Sequence, residues 1–139
     1  MLPKRPNILF LMSDEHRATV AGFAGDDVVR TPVLDELADT GVVFSHCYTP
    51  SPITVPTMVC LNAGQLPKTC GCEGWLDLEP GHMTFARLFA RYAYETVACG
   101  RLMHQGPDIM AGWTRRIGDD IMTRDNYIKA MHMSPGGFN

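Results

Sequence analysis

Asp14 and Glu15 follow directly on the apolar run Ile8-Leu9-Phe10-Leu11-Met12 and Ser13. A continuous apolar run of this length predicts a strand buried on both faces, and in an open α/β sheet sites are built at the carboxyl ends of strands. Carboxylate oxygens are the ligands that hard divalent cations take. The plain alternative for the pair is a solvated turn. Thr54 is the second chemically suggestive residue, because Pro56 is placed to begin a helix that runs to about Ala63 and is ended by Gly64 and Pro67. Thr54 then falls at or just before a helix N-terminus, where an anion is welcome.

The five cysteines, Cys47, Cys60, Cys70, Cys72 and Cys99, are an odd number in an otherwise ordinary composition. They predict free thiols rather than a disulfide framework. Cys70-Gly71-Cys72 is the one close pair. A zinc site would need a second pair or two suitably spaced histidines, and His16, His46, His82 and His132 show no such spacing. Each of these histidines is expected at the surface or in a hydrogen bond. The scattered methionines read as fillers of core gaps, and Trp75 and Trp113 as core or rim packing, with cleft lining as the alternative.

The remaining elements follow from caps and periodicity. Thr31 caps, and Pro32 opens, a helix whose Val33, Leu34, Leu37 and Ala38 share a face and which Gly41 ends. Val42 to Phe44 predicts a short strand. The stretch from Pro67 to Gly81, rich in Gly, Cys and acidic residues, reads as a long loop over the edge or mouth of a site. Thr84 starts a helix to about Tyr92 with Phe85, Leu88 and Phe89 facing the core, and Thr96 to Cys99 forms a third strand. Beyond Gly112 the chain is hard to read, with helical character from Arg124 to Met133. Alternating strands and helices predict an α/β architecture with a parallel sheet flanked by helices.

A chain of 139 residues has room for one domain, taken as 1–139 with a poorly readable tail over 113–139. The formal net charge of -3 gives no general attraction to nucleic acid or to an anionic membrane. No apolar run approaches the roughly 20 residues that cross a bilayer. Met1 to Pro6 leads straight into the first apolar run rather than into a signal peptide, so a cytoplasmic location is expected.

Taken in order, these segments resemble the sulfatase family of the alkaline phosphatase superfamily. There a strand ends in acidic metal ligands, a Thr-Pro-Asn-Leu-Asp-like helix follows, and a Cys/Ser-x-Pro-x-Arg motif presents the nucleophile at the start of another helix. Here the first helix reads Thr31-Pro32-Val33-Leu34-Asp35, and the nucleophile motif is altered to Thr54-Val55-Pro56-Thr57-Met58. Tyr94-Glu95-Thr96, Gly100-Arg101-Leu102-Met103-His104 and Gly106-Pro107-Asp108 resemble the Gly-Tyr-x-Thr, Gly-Lys-x-His and Gly-Pro-Asp segments of choline-sulfatase-like and phosphonate-monoester-hydrolase-like members. The resemblance covers roughly residues 6 to 113. It implies an alkaline-phosphatase-like sheet of which this chain is the N-terminal portion, the family's second pair of metal ligands lying beyond Asn139.

The activity implied is metal-dependent hydrolysis of a small-molecule sulfate, phosphonate or phosphate ester. Asp14, Glu15 and Thr54 would hold a divalent ion, calcium in first place, with manganese, magnesium or zinc as alternatives. Glu15 stands where relatives often carry Asp or Gln. Its alternative role is a strand-end carboxylate held by Arg17. Thr54 stands where sulfatases convert Cys or Ser to formylglycine. Threonine cannot follow that route, because its β-carbon bears a methyl group and oxidation gives a ketone. It could attack directly, as a metal-bound hydroxyl loses its proton more readily, or serve only as an N-cap.

Met58 replaces the motif's arginine and supplies neither charge nor a fork of donors. Arg101 takes the place of a lysine that binds the ester oxygens. Met103 occupies the position of the proton-donating histidine, with His104 one residue later. On a loop His104 could swing in as the acid; on a regular strand it would face the other side. The rival implication is a truncated or degenerate homologue that binds an anion or a partner subunit, its site completed by an oligomer or second chain. A small metal or redox module built on Cys70 and Cys72 is the third reading.

Overall fold

In the computed structural model residues 5–102, 108 and 110–117 are described. They form two compact units, one running through Cys47 and the other beginning at Tyr48. The first unit contains a 3-10 turn at Gly22–Ala24 and helix α1 at Pro32–Thr40. Pro32 stands in the first turn, where its missing N–H costs nothing. Thr31 precedes it as expected, but its side chain caps no α1 amide. Its hydroxyl instead accepts from the Gly22 N–H at 2.8 Å and donates to Asp35 Oδ1 at 2.9 Å. Asp35 also accepts from the Phe23 N–H at 2.8 Å. The Thr31-Pro32-Val33-Leu34-Asp35 segment thus clips the preceding turn to α1. The clip is tight, since a Cβ on Gly22 would lie 2.5 Å from Asp35 Oδ2.

Ile8 to Met12 does not form the expected strand, nor does Val42 to Phe44. Leu9 is 82% and Leu11 78% exposed, and among the described residues of this unit Ala21 is the buried apolar one. A strand is a tertiary object: apolar composition favours it, but a neighbouring backbone must supply the ladder. Among the described residues none does so here.

The second unit holds α2 (Thr54–Ala63), α3 (Pro67–Cys70), α4 (Phe85–Arg91) and the strands β1 (Val97–Cys99) and β2 (Arg115–Ile117). Its core comprises Val55, Met58 and Val59 of α2 with Cys72 and Leu78, a set that the i, i+3, i+4 spacing of α2 brings onto one face. The expected featureless loop from Pro67 to Gly81 is therefore corrected. It begins with α3, which Pro67 opens, and returns Cys72, fully buried, to the core. Two chain reversals hold this packing. The Gly64 and Gln65 amides bond back to Leu61 and Cys60, and the Cys72 amide to the Pro67 carbonyl, with Gly64 and Gly71 in the left-handed region at φ 63° and 77°.

Helix α4 begins as the sequence predicts, with Thr84 as N-cap accepting from the Arg87 N–H at 3.1 Å. Its buried residue is Ala86, while Leu88 is 47% exposed, which corrects the expected core face. It ends in a Schellman motif: Tyr94 N–H bonds to Phe89 O, Ala93 N–H bonds to Ala90 O, and the Phe89 and Tyr94 rings meet edge to face at 5.2 Å. Ala93 takes the left-handed position at φ 59°, which glycine usually fills.

β1 and β2 pair in parallel, Val97 opposite Arg115 and Cys99 opposite Ile117. The pairing starts from two threonines. Thr96 N–H donates to the Thr114 hydroxyl at 2.9 Å, Thr114 N–H to the Thr96 hydroxyl at 3.0 Å, and the Thr114 hydroxyl to the Thr96 carbonyl at 2.8 Å. The helices and this small parallel sheet make the chain α/β, as its pattern predicted. No helix among the described residues is long and apolar enough to cross a membrane.

Candidate active site

Thr54 is the first residue of α2, and Ile53, in extended conformation, is its N-cap. Threonine here is thus not the cap. The hydroxyls around it are committed to the backbone leading into the helix. Thr57 donates to the Ser51 carbonyl at 2.6 Å, Thr49 to the same carbonyl at 2.8 Å, and Ser51 Oγ accepts from the Ile53 N–H at 3.2 Å. Thr49 and Thr57 lie 3.1 Å apart. Among the described residues no hydrogen bond engages the Thr54 hydroxyl. Thr54 is half-buried, at a helix end whose unpaired amides carry a partial positive charge. The supporting hydroxyl network was not foreseen, although the density of Ser and Thr between 49 and 57 is its signal.

Met58, at the motif's arginine position, is 6% exposed and packs in the core. Four residues past Thr54, the position points into the protein, and the thioether contributes packing there instead of charge.

Asp14 and Glu15 lie in a turn and are exposed. The solvated turn, the plain alternative, is what is found, and the buried strand expected before it does not form. Glu15 has φ 55°, in the left-handed region that a non-glycine residue enters at a cost of roughly 1–2 kcal/mol. Such strain concentrates at ligand clamps and active sites. Among the described residues no ion pair joins Glu15 to Arg17. Asp14 and Glu15 belong to the first unit, and Thr54 and Arg101 to the second. Arg101 is exposed and follows β1 directly after Gly100, which is at φ 87°. His104 and Met103 lie outside the described residues, as does the expected helix from Arg124 to Met133.

Asp108 acts as an anchor. It pairs with the Arg87 guanidinium and accepts from the Gly81 N–H at 3.1 Å and the Ala111 N–H at 3.2 Å. Burial pushes its carboxyl up, but the Gly81 amide, the Arg87 charge and the Ala111 amide together outweigh that and hold it below its ordinary value. His16, His46 and His82 bond to Val20 O, Ser45 Oγ and Gln65 Oε1. Trp113 packs edge to face on Phe85 at 5.3 Å, and Trp75 is exposed.

The sequence model of the sulfatase family matches residues 6–129. This chain belongs to the sulfatase family. Curated relatives agree with that membership. The choline-sulfatase of Rhizobium meliloti is 30% identical over 90% of this chain and 25% of its own length. An ulvan-active sulfatase of Formosa agariphila is 33% identical over 71% of this chain and 20% of its own. The N-acetylglucosamine-6-O-sulfatase of Bacteroides thetaiotaomicron is 28% identical over 70% and 18%. This sulfatase-family chain thus spans about a fifth to a quarter of the length of these relatives.

Sulfatases generally depend on a divalent metal. Asp14 and Glu15 are oxygen donors of the right hardness, but a calcium ion takes six to eight such ligands. Among the described residues no group of three or more His, Cys, Asp and Glu comes together to hold a metal.

Proposed function

We propose that this chain supplies the nucleophile and the first acidic ligands of a hydrolase acting on sulfate esters, with phosphonate and phosphate esters as the related substrates. The observation that carries the reading is the Thr54 hydroxyl at the first position of α2, which no hydrogen bond engages among the described residues, beside neighbours Thr49, Ser51 and Thr57 whose hydroxyls are engaged. In this reading Thr54 gives up its hydroxyl proton to solvent water, its Oγ attacks sulfur directly, and the ester oxygen leaves with the bonding pair. Water then attacks the sulfur of the resulting threonyl sulfate, the bond to Thr54 Oγ breaks, the oxygen regains a proton and sulfate is released. The amides at the start of α2 stabilise the charge that develops on the non-bridging oxygens, Arg101 adds a fixed positive charge, and His104 protonates the leaving oxygen. Asp14 and Glu15 would contribute carboxylates to a divalent cation, calcium before manganese, magnesium or zinc, together with donors from elsewhere in the enzyme.

Buried Met58 favours a second reading, an anion-binding homologue without turnover, because the position that carries a cation in the family motif is given over to core packing. The two readings separate on hydrolysis of an aryl sulfate, a phosphodiester and a phosphonate monoester, each with added calcium, manganese, magnesium or zinc. Metal-dependent turnover that disappears in Thr54→Ala establishes the first. Sulfate binding without turnover under any condition, in the enzyme that includes those further donors, establishes the second.

A further inference from the structure

Cys60 lies in α2 and Cys70 closes α3, and their sulfur atoms are 3.9 Å apart, at van der Waals contact. Cys60 is 3% exposed, whereas Cys70 is half-buried and packs at the margin of the core cluster. The third thiol nearby is committed elsewhere: Cys72 donates to the Leu76 carbonyl at 2.6 Å and points back along its own loop. The α2–α3 connection is short and pinned by the Gly64 reversal, so the two sulfurs are held opposite one another by packing already present.

We propose that Cys60 and Cys70 are a dithiol site that closes to a reversible disulfide on reaction with a low-molecular-weight disulfide such as glutathione disulfide. Bonding needs an approach of about 2 Å to the usual sulfur–sulfur length near 2.05 Å, a displacement within the reach of side-chain rotation at the end of a four-residue helix. The order of events follows from burial. Desolvation, reinforced by the Cys70 thiol, pushes Cys60 up to about 11, so it stays protonated at neutral pH and out of solvent. Cys70 is the sulfur that the reagent meets first.

The Cys70 thiolate attacks one sulfur of glutathione disulfide, forming a mixed disulfide and expelling one glutathione thiolate. Cys60 then loses its proton and attacks the Cys70 sulfur, which releases the second glutathione. Two protein thiols are oxidised and one glutathione disulfide is reduced to two glutathiones. The product staples α3 and the chain returning through Cys72 onto α2, the helix that Thr54 begins. The proposal is independent of whether Thr54 is a nucleophile.

The test is incubation of the unsubstituted chain in glutathione buffers of graded oxidation, quenching by thiol alkylation under denaturing conditions, and mapping of proteolytic peptides by mass. The expected result is a cross-linked Cys60–Cys70 peptide two hydrogens lighter than the dithiol form, restored by dithiothreitol, with Cys72 alkylated as a free thiol. Cys70→Ser should abolish the cross-link and Cys72→Ala should leave it. A Cys70–Cys72 cross-link, or glutathione retained on Cys70 without resolution, would overturn the proposal. So would alkylation of Cys60 and Cys70 as free thiols at every buffer composition.

Discussion

Replacing Thr84 by alanine should destabilise the second unit more than a surface cap would. The side chain is 2% exposed and its hydroxyl does two things: it accepts from the Arg87 N–H at 3.1 Å and donates to the Ala111 carbonyl at 2.5 Å. Loss of the cap costs about 1 kcal/mol. Loss of the second bond leaves a carbonyl of a residue 5% exposed without that donor, for about 1–2 kcal/mol more. Removal of the buried γ-methyl adds about 0.8 kcal/mol. Together Thr84→Ala should cost about 3 kcal/mol. Thr84→Ser keeps both bonds and should cost about 1 kcal/mol, while Thr84→Val keeps the shape, loses both bonds and should fall between. Urea unfolding followed by tryptophan fluorescence suits the measurement, because Trp113 packs on Phe85, the residue after the cap. If the serine variant proves as unstable as the alanine variant, or alanine costs less than about 0.5 kcal/mol, the hydroxyl is not the link assigned to it.

Other consequences can be measured in the same way. Gly112 has φ 97°, and a Cβ there would lie 2.6 Å from the Arg87 amide nitrogen, so Gly112→Ala should cost about 2 kcal/mol or more in urea unfolding. Ala93→Gly should act oppositely and raise stability by about 0.5–1 kcal/mol, since it relieves the left-handed strain at an exposed position. The depressed carboxyl of Asp108 makes a contribution to stability that is complete above the unfolded carboxylate value near 3.9 and is lost as pH falls through the lower folded value. Acid titration of unfolding should therefore show a step below pH 4 that Asp108→Asn removes. Leu9 and Leu11 expose enough apolar surface to bind a hydrophobic dye, and the double variant Leu9→Asp, Leu11→Asp should cut that fluorescence without moving the unfolding midpoint of the second unit. An unchanged dye signal would place the apolar surface elsewhere.

Elements announced by their ends were legible in the sequence. Pro32 with Gly41, Pro56 with Gly64, and Thr84 all mark helices that are present, and the apolar triplet after Thr96 is β1. What escaped depends on partners distant in the chain. Ile8 to Met12 has strand composition and, among the described residues, no ladder, whereas Arg115-Arg116-Ile117 has two charges and is a strand because Thr114 and Thr96 set it beside β1. Pro67 reads as the end of the preceding helix, and it opens α3 instead. At the candidate site the position of Thr54 followed from Pro56. The burial of Met58 follows from its spacing with Val55 and Val59, a pattern that the family motif overshadowed. The clip made by Thr31 and Asp35 could not be read from α1 alone, because its partners lie in the preceding turn.

The Thr96–Thr114 exchange also bears on the order in which the second unit assembles. Its two residues are 18 apart in sequence, and Thr84 and Ala111 are 27 apart, against 10 for Cys60 and Cys70. Each doubling of the segment to be closed adds about 0.6 kcal/mol of entropy cost before any contact forms. The α2–α3 pair can therefore nucleate from nearby chain, whereas the parallel strands join only once the connection from Gly100 to Thr114 has been brought round. If closure follows that order, Cys60 and Cys70 would face one another while Cys99 still belonged to an unpaired strand, and an oxidant met at that stage would act on a partly built protein.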